Sequence, residues 1–342
     1  MVVRRGNATL KDVAERAGVH PGTASRALNP ATQHLVSEAT VRAVQEAARE
    51  LDYRPNPMAR GLKTNRSMMV GVVVPDLSNS LFPPIVRGAE DVLSRAGYTT
   101  VIADTDNDPG REVESLAALR ARQVDGLLVA SAHREDAAVQ DAAAHGVPLV
   151  LVNRRAEGAS IPTVVSDDRS GIEQAVRHLL ELGHRRVAHL PGPTWLSTGL
   201  DRARAFREVM HSLGGDLDPA LTEECVTYSV AEGTRAAHAV LERTRPTAIL
   251  AGNDQIAVGV LDALRERGLR CPEDVSVVGY NDMSFMDKLS PPLTTVRVPH
   301  TEIGVEAAQI LLRWLTSGPP GPQVVTLPVQ LVVRGSTTAP LT

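Results

Sequence analysis

Seven short apolar runs lie between residues 68 and 281: MMVGVVV, TTVIAD, VDGLLVAS, VPLVLVN, RRVAHLPG, TAILAGN and VSVVGYN. Strands that alternate apolar and polar residues have one wet face. Runs without that alternation fit parallel strands covered on both faces. Stretches with helical spacing separate them, such as 84–95, 111–122 and 171–182, so the chain reads as successive βαβ units. The βαβαβ order occurs twice, before and after about residue 165. It predicts two similar doubly wound parallel sheets with a cleft between them.

The same pattern could serve an enzyme, but the motifs such an enzyme needs are missing. A dinucleotide-binding fold places G-x-G-x-x-G at its first strand–helix turn. Here that turn reads VPDLSNSLFPP, without a glycine. No G-x-x-x-x-G-K-[ST] phosphate loop and no G-x-S-x-G elbow occurs, and the ten histidines are scattered. Two cysteines, Cys225 and Cys271, lack metal-ligand spacing, so no metal, no cofactor and no disulfide framework is expected. No apolar run approaches a membrane span, and the N-terminus carries no secretory signal, so a cytoplasmic protein without membrane contact is expected. The chain reads as a binding protein and not as an enzyme.

Charge is unevenly placed. Residues 1–66 hold 11 Lys/Arg against 6 Asp/Glu, and the remainder holds 25 against 34. A basic head on an acidic body fits a head that meets a polyanion. In TLKDVAERAGVHPGTASRAL (9–28), Thr9 can cap a helix whose Leu10, Val13, Ala14 and Ala17 share one face. Gly18 can supply a turn with positive φ, and Pro21 can begin a second helix bearing Ala24, Ala27 and Leu28. This is the helix-turn-helix pattern, whose second helix enters the major groove. Ser37 can cap a third helix with Val41, Val44, Ala48 and Leu51 inside. The head is therefore predicted as an all-α three-helix unit over 1–54. Asn56 and Pro57 can start a further short helix over 58–63, within a linker over 55–66.

Taken together, TLKDVAERAGV, TASRALN, YRPNPMARGLK, MVGVVVPDLSN and LVVRGST resemble the lactose-repressor/galactose-repressor family of bacterial transcription regulators, over essentially the whole chain. The resemblance implies a helix-turn-helix headpiece and hinge helix joined to a two-lobed, periplasmic-binding-protein-like α/β body over 67–342. The first lobe is expected at about 67–164 plus 296–325, the second at about 165–295 plus 326–342. Matched positions assign DNA contact to Thr9, Leu10, His20, Pro21, Gly22, Ser25, Arg26 and Asn29. Arg26 can pair bidentately with guanine, and Leu62 matches a leucine that wedges into the minor groove. Two departures stand out: His20 replaces the usual Ser or Thr cap, and Gly22 removes a common base-reading side chain.

By the same resemblance the cleft holds a small polar effector. Its expected contacts are Ser78, Asn79, Phe82, Arg154, Asp167, Trp195, Thr198, Arg202, Tyr228, Asn253 and Asn281, with Arg202 as the principal fork-like donor. Phe285, after GYNDMS, is a further aromatic candidate. Sugar-binding relatives often carry aspartates at the positions of Asn153 and Asn281, and the purine-binding relative has an arginine where this chain has Leu196. A carbohydrate or sugar phosphate is therefore expected before a purine. The expected mechanism is a homodimer on a pseudo-palindromic operator, switched by differential effector affinity. The dimer is expected because no heptad tail follows LVVRGST, with 77–92 and 257–267 at its interface. Repression is expected, while an activator and a purine- or other metabolite-responsive regulator stay open.

Overall fold

The computed structural model describes residues 8–29, 32–53, 66–158 and 160–341. The chain divides into two compact units, Met1–Ser67 and Met68–Thr342. Leu62 and the expected helix over 58–63 lie outside the described residues.

The first unit contains α1 (Leu10–Arg16), α2 (Pro21–Ala27) and α3 (Glu38–Glu50), with a 3-10 turn at Gln33–Leu35 before α3. Thr9 and Asp12 form a reciprocal capping box at the start of α1. Gly18 takes φ +66°, so the chain reverses between α1 and α2 without a strained side chain. Small residues let the helices approach: Val13, Ala14, Ala24, Ala27, Val44, Ala47 and Ala48 are buried together. Ser37 caps α3 by accepting from Thr40 N.

The second unit carries two sheets. One has the order β10-β5-β4-β3-β1-β2 and is parallel throughout. Its strands are β1 (Met69–Val74), β2 (Thr99–Asp104), β3 (Gly126–Val129), β4 (Leu149–Val152), β5 (Thr163–Ser166) and β10 (Val324–Leu327). The other runs β11-β9-β8-β7-β6, with β6 (Val187–Leu190), β7 (Ala248–Ala251), β8 (Ser276–Asn281), β9 (Thr294–Arg297) and β11 (Gln330–Val332). Helices α4 (Phe82–Arg95), α5 (Pro109–Ala121), α6 (Ala137–Ala144) and α11 (His300–Ser317) cover the first sheet. Helices α7 (Asp168–Glu181), α8 (Ser197–Ser212), α9 (Val230–Arg243) and α10 (Asp254–Glu266) build the second lobe.

Two details differ from the sequence reading. The second sheet is not wholly parallel: β11 pairs antiparallel with β9, Gln330 opposite Arg297. The cause is connectivity, because β10 finishes at the cleft and β11 starts there, beside the end of β9. The strands that precede the crossings between lobes end at Ser166, Arg297 and Leu327. Finally, β2 is an edge strand and not covered on both faces; Ile102 is 45% exposed there.

Candidate functional site

On the first unit, α2 presents an exposed polar face. His20 does what a serine would do at the helix start: its Nδ1 accepts from Gly22 N at 3.1 Å, satisfying an otherwise free amide. Pro21 follows at the first helical position, where its missing N–H costs nothing. Arg26 is exposed and its Nε donates to the Gly22 carbonyl at 3.3 Å, one turn back. Thr9, His20 and Pro21 are likewise exposed. Gly22, Ser25 and Asn29 are half-buried, and Leu10 packs against the small core.

Between its lobes the second unit encloses a small cavity of about 20 Å3. Asn79, Leu81 and Phe82 reach it from the turn after β1, and Asn153 and Arg154 from the end of β4. Thr198 and Arg202 come from α8, Tyr228 from the loop before α9, Asn253 from the start of α10, and Asn281 from the end of β8. Most contributors sit at a strand end or a helix start, where side chains from successive βα units converge. Asn153 (φ +65°) and Asn281 (φ +116°) occupy left-handed backbone, which asparagine tolerates better than most residues.

The sequence-predicted residues divide. Asn79, Phe82, Arg154, Thr198, Arg202, Tyr228, Asn253 and Asn281 line this cavity together. Ser78, Asp167 and Trp195 do not. Ser78 Oγ donates to Asp76 at 2.6 Å, and Asp167 caps α7 by accepting from Ser170 N. Both side chains are held by their own turns. The Trp195 indole is 41% exposed and stands edge-on to His133, ring centroids 4.8 Å apart. Phe285 is 75% exposed and also outside the cavity. Tyr228 lies in a loop closed by Ser229, the cap of α9. Its ring fills space over Gly192, where a Cβ would come within 2.1 Å of it.

Arg202 is 2% exposed and held by protein groups. Its Nε donates to Asp168 at 3.0 Å, its Nη1 to the Gly252 carbonyl at 2.9 Å, and its guanidinium covers the Tyr280 ring at 3.8 Å. Asp168, Tyr280, Asn153 and Leu81 were absent from the expected contacts. Asp168 was hidden by its neighbour Asp167, since only the structure tells which of two adjacent carboxylates turns inward. Asp254 is fully buried, accepts from Thr295 Oγ1 at 2.6 Å and Met283 N at 2.7 Å, and so fixes the turn that presents Asn281. Burial pushes its carboxyl up to about 7.

Contacts across the cleft were also missed. Arg155 N donates to Ser197 Oγ at 2.8 Å and its guanidinium pairs with Asp201. Arg134 holds the same second-lobe loop, through its N to Trp195 O at 3.2 Å and its Nη1 to Thr194 O at 3.0 Å.

Comparison with known proteins is consistent with this geometry. Residues 9–56 match the profile for bacterial regulatory proteins of the lacI family, and 176–337 that of a periplasmic binding protein-like domain. The HTH-type transcriptional regulator DegA of Bacillus subtilis is 32% identical, over 96% of this chain and 98% of its own. A solved structure of the lac repressor dimer bound to operator and the anti-inducer ONPF aligns with TM-score 0.88 at 29% identity. It covers 98% of this chain and 100% of that one. The transcriptional regulator CelR–cellobiose complex aligns with TM-score 0.73 at 35% identity, covering 96% and 99%.

Proposed function

The chain belongs to the lacI family of bacterial regulatory proteins, and from that premise we propose that it is a transcriptional repressor that binds a pseudo-palindromic operator as a dimer and is switched by a small carbohydrate-like effector held between its lobes. It is a DNA-binding regulator and not an enzyme. The observation that carries the effector half is the meeting of Asn79, Arg154, Thr198, Asn253 and Asn281, from both lobes, on one cavity. Amides and hydroxyls of this kind suit ligand hydroxyls, which both donate and accept. Relatives support the same reading: one is a ribose operon repressor and one is seen with cellobiose.

On the first unit, Arg26 and its neighbours on α2 read base edges while Thr9 contacts phosphate. Leu62 wedges the minor groove. Dimer contact falls to the first-lobe segment 77–92, where Leu77 is an exposed apolar residue, and to the helix at 257–267. The protein works in the cytoplasm, on the nucleoid when bound to operator. An effector shifts operator affinity only by its differential affinity for the two states.

The test is selection of bound duplexes from a random library, followed by fluorescence anisotropy with and without sugars. Enrichment of an inverted repeat whose affinity changes with one sugar class supports the proposal. Enrichment of no inverted repeat would sink the operator claim.

A further inference from the structure

We infer that the cleft takes a hydroxylated ligand carrying one anionic group, a sugar phosphate or a sugar acid, with the anion seated on Arg154. This deepens the effector reading above and rests on it. Arg154 is 4% exposed and lines the cavity. Its Nη1 donates to the Ser131 carbonyl at 3.1 Å, the one hydrogen bond its side chain makes among the described residues. No carboxylate of the described residues lies within 4.0 Å of it, whereas Arg202, on the same cavity, is neutralised by Asp168. A guanidinium has several N–H donors, and burying a charge without a counter-charge is costly enough that an uncompensated one marks a site. Burial lowers Arg154 to about 10, the direction expected of an unpaired buried cation.

The nearby acids, Glu112 and Asp136, act on Arg154 only from beyond ion-pair distance. Glu112 accepts from Ser131 Oγ, and burial pushes its carboxyl up to about 7, so near neutral pH it is partly protonated. Asp136 faces Glu112 and accepts from its own loop, Oδ1 from Val139 N at 2.9 Å and Oδ2 from His133 N at 3.0 Å. None of the cavity's lining residues is Asp or Glu, so nothing on the wall repels an anion. The rest of the wall addresses hydroxyls. Asn281 Oδ1 is buried without a partner and needs a donor from the ligand. Thr198 Oγ1 and Tyr228 Oη, 3.1 Å apart, can share a hydroxyl between them. Together these fit a polyol with a single acidic substituent better than a neutral sugar.

The experiment is calorimetric titration of the full chain with matched sets: glucose, gluconate, glucuronate and glucose 6-phosphate; ribose and ribose 5-phosphate; fructose and its phosphates. The expected result is one acidic member binding at least tenfold tighter than its neutral parent. A phosphate or a carboxylate as the tightest member names the source of the anion. Arg154→Met should bring that acid's affinity down to the parent's without lowering the melting temperature of the free protein, and Arg154→Lys should keep part of the preference. A neutral parent binding as tightly as its acid overturns the inference and leaves the sugar-effector reading standing; this ratio is measured on the unaltered chain. A folded Arg154→Met protein that keeps the acid preference also overturns it. Silence across the whole panel overturns the sugar-effector reading, and the inference with it.

Discussion

Asp168 Oδ1 accepts both from Arg202 Nε, at 3.0 Å, and from Ser166 Oγ, at 3.0 Å, so one buried carboxylate ties the last residue of β5 to helix α8 of the other lobe. It stands at the first crossing between the lobes, and Arg202 extends the tie to the Gly252 carbonyl. Replacing Asp168 by Asn would leave Arg202 charged, buried and unpaired, which costs about 3–5 kcal/mol. Urea unfolding of Asp168→Asn should show a loss of that order. The double variant Asp168→Asn/Arg202→Met should recover part of it, since the stranded charge is gone. A loss under about 1 kcal/mol would mean that the pair is not the structural tie described.

His20 gives a second, local prediction. Its Nδ1 accepts from Gly22 N at the start of α2, the one side-chain cap there among the described residues. His20→Ala should destabilise the first unit by about 1 kcal/mol, and His20→Ser should restore it. The readout is the transition of the full chain's helix-turn-helix unit followed by calorimetry. Equal stability of the Ala and Ser variants would show that the ring does not cap.

Much of this architecture was legible in the chain itself, because it depends on local rules. Thr9, Gly18, Pro21 and Ser37 each mark a helix end through a cap or a backbone angle, and each marks the expected end. The lobe layout followed from unalternated apolar runs. What was not legible depends on long-range direction. Asp167 and Asp168 are identical to a pattern reader, yet one caps its own helix and the other binds Arg202. Trp195 sits in the expected loop, but the clasp of Arg134 on Thr194 and Trp195 sets that loop's path, and the indole stays outside the cavity. The antiparallel β11 needed the knowledge that the chain crosses at the cleft end of β10.

His189 predicts a pH response. It is buried, stacks on Phe206 with centroids 4.2 Å apart, and its Nε2 has no hydrogen-bond partner among the described residues. Burial holds its pKa down at about 3, against 6.5 for an ordinary imidazole. The folded state therefore binds fewer protons than the unfolded one between those values. His189's contribution to stability is complete above pH 6.5 and is lost progressively as pH falls toward 3. At most the loss is about 1.4 kcal/mol per pH unit. His189→Phe should leave stability at pH 7 little changed and flatten the decline between pH 6.5 and 4.5 in parallel denaturant melts. Identical slopes for both proteins would refute the assignment. Asp254, raised to about 7, acts with the opposite sign over roughly the same range, so the comparison must be made between variants.

Arg26 carries the sharpest prediction for DNA. In the free protein its Nε rests on the Gly22 carbonyl, a 3.3 Å bond that is exposed and easily exchanged for a base edge. Arg26→Ala should cost about 1–3 kcal/mol of operator affinity and relax preference at one base pair in each half-site. A purely phosphate-directed Arg26 would instead weaken all sequences alike and reduce the salt dependence of binding. Anisotropy on the selected operator and on single-base variants separates the two outcomes.

The last prediction concerns closure of the lobes. Arg134 and Arg155, both from the first lobe, hold the second-lobe segment 194–201 by backbone and side-chain contacts, with Arg155 on Ser197 and Asp201. The Arg155–Asp201 pair is partly exposed, with side chains 44% and 29% accessible, so it should add under about 1 kcal/mol to global stability. Its effect on closure is a separate quantity. A shift of about 1.4 kcal/mol between open and closed lobes changes the competent population, and hence apparent effector affinity, by roughly tenfold. Arg134→Ala/Arg155→Ala should therefore unfold at nearly the same urea concentration as the unaltered chain. It should scatter X-rays with a larger radius of gyration when free, and bind its effector about tenfold more weakly. Saturating effector should bring the two scattering curves back together, because the ligand supplies the closure that the two arginines no longer provide. Superimposable curves in the free state, with equal effector affinity, would show that these contacts follow closure and do not help to set it.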